Sequence, residues 1–218
     1  MVELPPWRPP SYDRVAPGQP RWLEELPLAY ERLGLTLRWE NRHRITDLVR
    51  QRAYEALMAV DEQIEELLDL LERIGALEET IIVLTSDNGA GWGEHGLFLQ
   101  IKGCPYDECI RVPLLIRYPE RLAPGESDRL TLNIDMAPLL LELAGLPIPE
   151  RLDGRPLSRG RGKFRIESFQ SLGDSIPGWR GIRTRDHLLV RYATDEFEVH
   201  NLARDPHQLR PVAGHGAR

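Results

Sequence analysis

The sequence predicts an α/β layered core followed by a small antiparallel sheet. Three observations carry this. Residues 44–74 have the apolar spacing of a long amphipathic helix. Two short runs, 80–85 and 112–118, are apolar and rich in β-branched residues. After residue 163 the pattern changes to brief β-like pieces with turn residues between them. Helices alternating with buried strands build layered α/β cores, and closely spaced strands build hairpins. The expected division is a partial core at 1–150, opened by a Pro-rich lead-in at 1–27, and a small-sheet subdomain with its tail at 151–218.

Residues 1–27 contain Pro5, Pro6, Pro9, Pro10, Pro17, Pro20 and Pro27. Proline fixes φ and removes an amide donor, so an irregular or extended segment is expected, with few core residues. In 44–74, Val49, Ala53, Leu57, Val60, Ile64, Leu67, Leu68, Leu71 and Ile74 recur at three- and four-residue steps. Thr46 or Asp47 can cap the front and Gly75 the end. Glu62, Glu65, Glu66, Asp69 and Glu72 form a solvated opposite face.

The runs 80–85 and 112–118 read as strands covered on both faces. Asp135 is placed to cap a helix at 136–144, with Pro138 in its first turn and Gly145 after it. Residues 146–162 are a loop rich in Pro, Gly and Arg. Strand pieces follow at 164–166, 181–184, 187–192 and 197–199.

A chain of 218 residues suits one compact domain, or a core with an appendage. Its 41% apolar and 28% charged residues are an ordinary soluble balance. A net charge of -6 argues against a broad nucleic-acid surface, while small anionic substrates stay open because a site can be locally positive. Cys104 and Cys109 form neither a C-x-x-C pair nor a zinc pattern, and two reduced thiols are expected. Residues 1–20 lack the apolar run of a signal peptide, and no stretch approaches the roughly 20 apolar residues of a membrane span. Localisation is left unknown.

The stretch with chemistry in it is Thr85-Ser86-Asp87-Asn88-Gly89-Ala90-Gly91-Trp92-Gly93-Glu94-His95-Gly96. It follows the first strand directly, and ligand sites of open α/β sheets lie beyond the carboxyl ends of strands. Asp87 and Asn88 offer hard oxygen donors suited to Ca²⁺ or Mg²⁺. Taken alone, Asp-Asn-Gly reads first as a turn. Lys102, one of only two lysines in the chain, sits on a Gly-Pro loop where it can neutralise an anionic oxygen. The plain alternative is a solvated lysine.

Residues 82–89, Gly93-Glu94-His95-Gly96, 102–108 and 110–116 together resemble the second conserved block of sulfatases. The helix within 54–71, the segment 134–145, Leu152-Asp153-Gly154-Arg155-Pro156-Leu157, 180–184 and 198–206 resemble further parts of that family in the same order. The resemblance runs from about residue 5 to about residue 212.

It implies an alkaline-phosphatase-like core with a small C-terminal antiparallel sheet. It implies hydrolysis of sulfate esters, with a divalent cation, Ca²⁺ before Mg²⁺, bound by Asp87 and Asn88. Lys102 would contact a sulfate oxygen and stabilise charge on the leaving group. His95 is expected to orient the loop, with a direct catalytic role as the alternative. Cys104 becomes a loop residue near the site, and Arg111 a support for that loop.

The family's formylglycine nucleophile arises from a C/S-x-P-x-R motif, which is not encoded here. Cys104-Pro105 and Cys109-Ile110-Arg111-Val112-Pro113 do not fit, and Ser175-Ile176-Pro177-Gly178-Trp179 has Trp in place of Arg. The paired aspartates that complete the cation site have no counterpart. Two ligands are few for Ca²⁺, and the covalent route needs its nucleophile. The expectation is therefore the C-terminal portion of a sulfatase, inactive alone. Its partners would be a small sulfated substrate and an N-terminal half, with no nucleic acid and no membrane span. The alternatives are a fragment of a phosphonate or phosphodiester hydrolase of the same superfamily, or a non-catalytic scaffold.

Overall fold

The computed structural model describes residues 4–15, 17–98, 100–169 and 176–215. They form two compact units, each discontinuous in sequence. The first comprises residues 1–55, 88–111 and 163–218; the second comprises 56–87 and 112–162. These limits do not coincide with a boundary near residue 150, because 151–162 belong with the second unit.

The first unit opens with helices α1 (Arg21–Glu24), α2 (Leu26–Arg32) and α3 (Thr36–Glu40). The lead-in is thus not wholly irregular. Pro20 is the N-cap of α1, and Pro27 lies in the first turn of α2, where a missing amide costs nothing. Trp22, Leu23, Leu26 and Tyr30 are each 5% exposed or less and enter the unit's core. That core continues through Leu97, Ile101 and Tyr106 to Trp179, Leu188, Val190 and Tyr192.

Its sheet has five antiparallel strands in sequence order: β3 (Lys163–Ser168), β4 (Trp179–Thr184), β5 (His187–Tyr192), β6 (Glu196–Asn201) and β7 (Val212–His215). Alternate residues face the core, as in Leu188, Val190 and Tyr192 of β5. The last strand is one more than the sequence pattern suggests.

The long helix α4 (Arg42–Arg73) starts two residues before its expected start. Thr46 and Asp47 therefore lie inside it and do not cap it. Thr46 is buried, and Asp47 takes a two-pronged pair from Arg8, with both N···O distances 2.8 Å. The far end closes as a Schellman motif. Gly75, at φ +72°, donates to Glu72 at 3.0 Å, and Ala76 donates to Leu71 at 2.8 Å.

In the second unit, β1 (Ile82–Thr85) and β2 (Leu114–Arg117) form a two-stranded antiparallel sheet. It is not covered on both faces. The cross-strand partners Leu84 and Leu115 are 44% and 59% exposed. Leu57, Val60, Leu67 and Ile74 of the helix segment and its end are likewise exposed. The unit's core is small, built on Tyr118, Leu139 and Leu143.

Leu139 and Leu143 belong to α6 (Met136–Leu143). Asp135 stands at the N-cap position of that helix, but its side chain makes no capping bond there. A 3-10 turn at Asn133–Asp135 runs straight into it, which leaves Asp135 in helical backbone with its carboxylate turned elsewhere. The buried carboxylate accepts from the amides of Leu132 and Arg155, both at 2.8 Å, and pairs with Arg161.

Candidate functional site

The second unit presents Asp87 just past the carboxyl end of β1. The Thr85 hydroxyl donates to the Pro113 carbonyl at 2.9 Å. The side-chain amide of Asn133 donates to the carbonyls of both Ser86 and Asp87 at 3.0 Å, which fixes the turn off the strand. Ser86 donates to Asp87 Oδ1 at 3.3 Å, and Asp87 is exposed.

Asn88, where the middle segment of the first unit begins, is half-buried. The Asn88 amide nitrogen donates to the Gly89 carbonyl at 2.8 Å. The other end of that amide is an oxygen, the donor type a hard cation takes. Gly89 packs against the short helix α5 (Asp107–Ile110): it donates to the Cys109 carbonyl at 2.9 Å, and a Cβ on it would lie 2.0 Å from the Glu108 carbonyl oxygen. Gly91 then pairs with Ile101, donating to it at 2.9 Å. Lys102 follows Ile101 directly and is exposed. The fold therefore joins the segment of Asn88 to the segment of Lys102.

His95 lies inside. It is fully buried at φ +52° and stacks on Tyr106 with ring centroids 4.0 Å apart. Its Nδ1 lies 2.9 Å from Gln19 Nε2. Its Nε2 lies 3.7 Å from Glu108 Oε2, beyond hydrogen-bond range. Burial pushes the imidazole down to about 3. Burial also pushes Glu108 up to about 7, with Glu94 and Asp107 adding to the rise. At neutral pH His95 is therefore an uncharged ring that supports Tyr106.

Tyr106 leads to a buried polar cluster that sequence reasoning misses. Its hydroxyl donates to the Glu198 carboxylate at 3.2 Å, and Tyr192 donates to the same carboxylate at 2.5 Å. His200 Nε2 lies 3.5 Å from Glu198 Oε1, and Glu198 and His200 are both 0% exposed. The available signal is parity: Glu198 and His200 alternate along β6 on its inward face. Trp179 Nε1 donates to the Gly103 carbonyl at 2.8 Å, which places the loop of Lys102 on the sheet. Arg183, and not Arg111, meets Asp107, at 3.1 Å; the Asp107 amide donates to Gln208 Oε1 at 2.8 Å. Arg111 is exposed, and its amide closes α5 on Asp107 at 2.8 Å.

Cys104 and Cys109 are not reduced thiols; they form a disulfide, with Cα atoms 5.7 Å apart. Spacing rules seek several bridges or a C-x-x-C pair. A single bridge needs only the right Cα separation, and the fold of 104–109 provides it.

For a cation, Asp87 and Asn88 supply two oxygen donors of the six to eight that Ca²⁺ takes. Among the described residues no group of three or more His, Cys, Asp or Glu is placed to hold a metal ion. The donor set thus fits part of such a site. Ser175 lies outside the described residues, and Trp179 of that stretch is buried in the core.

The Sulfatase family profile matches residues 7–146, and the profile described as N-sulphoglucosamine sulphohydrolase, C-terminal, matches 93–217. The chain belongs to the sulfatase family. A sulfatase relative, N-acetylglucosamine-6-O-sulfatase of Bacteroides thetaiotaomicron, is 37% identical over 72% of this chain and 31% of its own length. Human arylsulfatase A is 34% identical over 60% of this chain and 28% of its own length. This sulfatase chain thus spans about a third of those two relatives.

Among solved structures, BT4656 in complex with its substrate D-glucosamine-2-N,6-O-disulfate has a TM-score of 0.66 at 35% identity, covering 72% of this chain and 34% of that one. A 2-O glycosaminoglycan sulfatase has a TM-score of 0.81 at 18% identity, covering 97% and 48%, and supports the fold alone. The fold is that of the alkaline-phosphatase-like sulfatases.

Proposed function

We propose that this chain is the C-terminal portion of a sulfuric ester hydrolase and supplies half of its cation and sulfate site. The observation that carries the reading is the run from β1 through Asp87 and Asn88 to Lys102, which lies within the Sulfatase profile match. Asp87 and Asn88 hold the cation by oxygen, and Lys102 places positive charge on a sulfate oxygen. A divalent cation held there would supply Lewis-acid charge to the sulfate oxygens. Asn133 and the Cys109 carbonyl keep the backbone on either side of the Asp87–Asn88 bond in place.

The nucleophile and the remaining ligands come from an N-terminal half. The partial coverage of the relatives supports this. So do the exposed Leu84 and Leu115, which that half would cover. The first relative acts, by its name, on N-acetylglucosamine 6-sulfates. A sulfated amino sugar is thus the first substrate to offer the reassembled enzyme.

Calorimetry with Ca²⁺ and inorganic sulfate tests the half site. Weak binding by the chain, abolished in Asp87→Ala, is expected; identical heats for both proteins would sink the reading. The purified chain alone should show no turnover of a sulfate ester, and turnover abolished by Asp87→Ala would overturn that part. A second reading rests on the phosphonate monoester hydrolase of Agrobacterium radiobacter, similar at 26% identity with a TM-score of 0.65. Parallel assays of the reassembled enzyme on a sulfate ester and a phosphonate monoester separate the two.

A further inference from the structure

We propose that the Cys104–Cys109 disulfide is a positioning clamp that makes the geometry of the Asn88–Lys102 region depend on redox state. The inference concerns regulation of the site proposed above and rests on that reading for its functional meaning.

The bridge spans a sequence separation of 5. A tie this short removes the least freedom from an unfolded chain, so its main effect falls on native geometry. Its two ends serve different arms. Cys104 lies two residues after Lys102, on the arm whose Ile101 accepts from Gly91 at 2.9 Å. Cys109 holds the other arm, since its carbonyl accepts from Gly89 at 2.9 Å, one residue after Asn88. The disulfide is therefore a covalent strut between the loop of Lys102 and the backbone that seats Asn88.

Contacts independent of the sulfurs hold the same loop to the sheet. Trp179 takes the Gly103 carbonyl, Tyr106 reaches Glu198, and Asp107 meets Arg183 and Gln208. These anchors survive loss of the bridge. Opening it loosens the two ends of the turn, at Cys104 and Cys109, while Tyr106 and Asp107 stay anchored and β3–β6 stay folded.

The step is thiol–disulfide exchange with a dithiol. The dithiol gives two electrons and two protons to the protein sulfurs, the bond between Cys104 and Cys109 breaks, two thiols form, and the dithiol closes to its own disulfide. Cys104 is 0% exposed and Cys109 4%, so attack requires the loop to open first, and reduction is slow.

The test is hydrogen exchange read by mass spectrometry on the full chain. It compares the oxidised protein, the protein reduced with dithiothreitol, and a Cys104→Ser/Cys109→Ser double variant. Exchange in peptides covering 88–92 and 100–110 should rise at least tenfold on reduction and in the variant, while β4–β6 keep their protection. Unchanged exchange at 88–92, or loss of protection throughout the sheet, would overturn the clamp. So would alkylation of both cysteines in the untreated, folded protein.

Calcium and sulfate calorimetry on the same samples separates the two ideas. Binding in the oxidised chain that weakens several-fold on reduction supports both. No binding in either state defeats the half site, while the exchange data still decide the clamp.

Discussion

The strongest local commitments are made by single buried polar side chains. Glu198 keeps its carboxylate inside the first unit because Tyr106 and Tyr192 both donate to it. Tyr106→Phe removes one donor from a group that water cannot reach, and should cost about 1–3 kcal/mol in urea unfolding. Asp135 and Arg161 have side chains 4% and 7% exposed. Arg161→Ala removes the cation from that buried carboxylate, leaves it only the amides of Leu132 and Arg155, and should cost about 3 kcal/mol by the same measurement.

His95 and Glu108 set opposing pH dependences. His95, held down at about 3, favours the fold at pH above its ordinary 6.5, and that stability is lost as pH falls from 6.5 towards 3. Glu108, held up at about 7, favours the fold below its ordinary 4.5, and that stability is lost as pH rises from 4.5 through 7. Glu108→Gln should therefore gain in melting temperature relative to the parent as pH rises from 4.5 to 7, as differential scanning fluorimetry at several pH values would show. Most of these buried partners cannot be read from sequence, because they depend on contacts between distant segments. Tyr106 and Glu198, for instance, lie 92 residues apart.

Elements are more legible than partners. The core of α4 stands out because its apolar residues repeat at three and four, and β5 because Leu188, Val190 and Tyr192 alternate with polar neighbours. The first turn of α4 is hidden because α3 runs up to Glu40, just before it, and the signal sought there is a cap. Helices α1 and α2 are masked by the seven prolines around them, although Trp22, Leu26, Ala29 and Tyr30 already have helical spacing. Asp87, Asn88 and Lys102 are legible as a candidate set only through the order of motifs, since Asp-Asn-Gly alone reads as a turn. At this scale the exposed stripe of α4 gives a clear expectation. Leu57→Ala and Leu67→Ala, at 56% and 52% exposure, should change the stability of the isolated chain by no more than about 0.5 kcal/mol. The same pair of changes should reduce any concentration-dependent association in sedimentation experiments.

For the molecule as a whole, the two units differ in how much they hold inside. The first closes a core around Leu97, Tyr106 and Leu188 with a five-stranded sheet on it, and the second closes only a few side chains around Leu139. Chemical denaturation should accordingly show the second unit losing protection before the first, and exchange mass spectrometry across 112–118 and 187–192 would report the order. The ribbon of β1 and β2 has a further effect. Among the described residues each of its strands has one neighbour only, so two rows of peptide groups face outward, framed by leucines. Such a ribbon is a template. Its edges can take up an extended segment, whether a complementary polypeptide or another copy of this ribbon, and pairing copy to copy would grow towards fibrils. Supplying an extended partner during synthesis, before copies can meet, should then lower the share of insoluble chain.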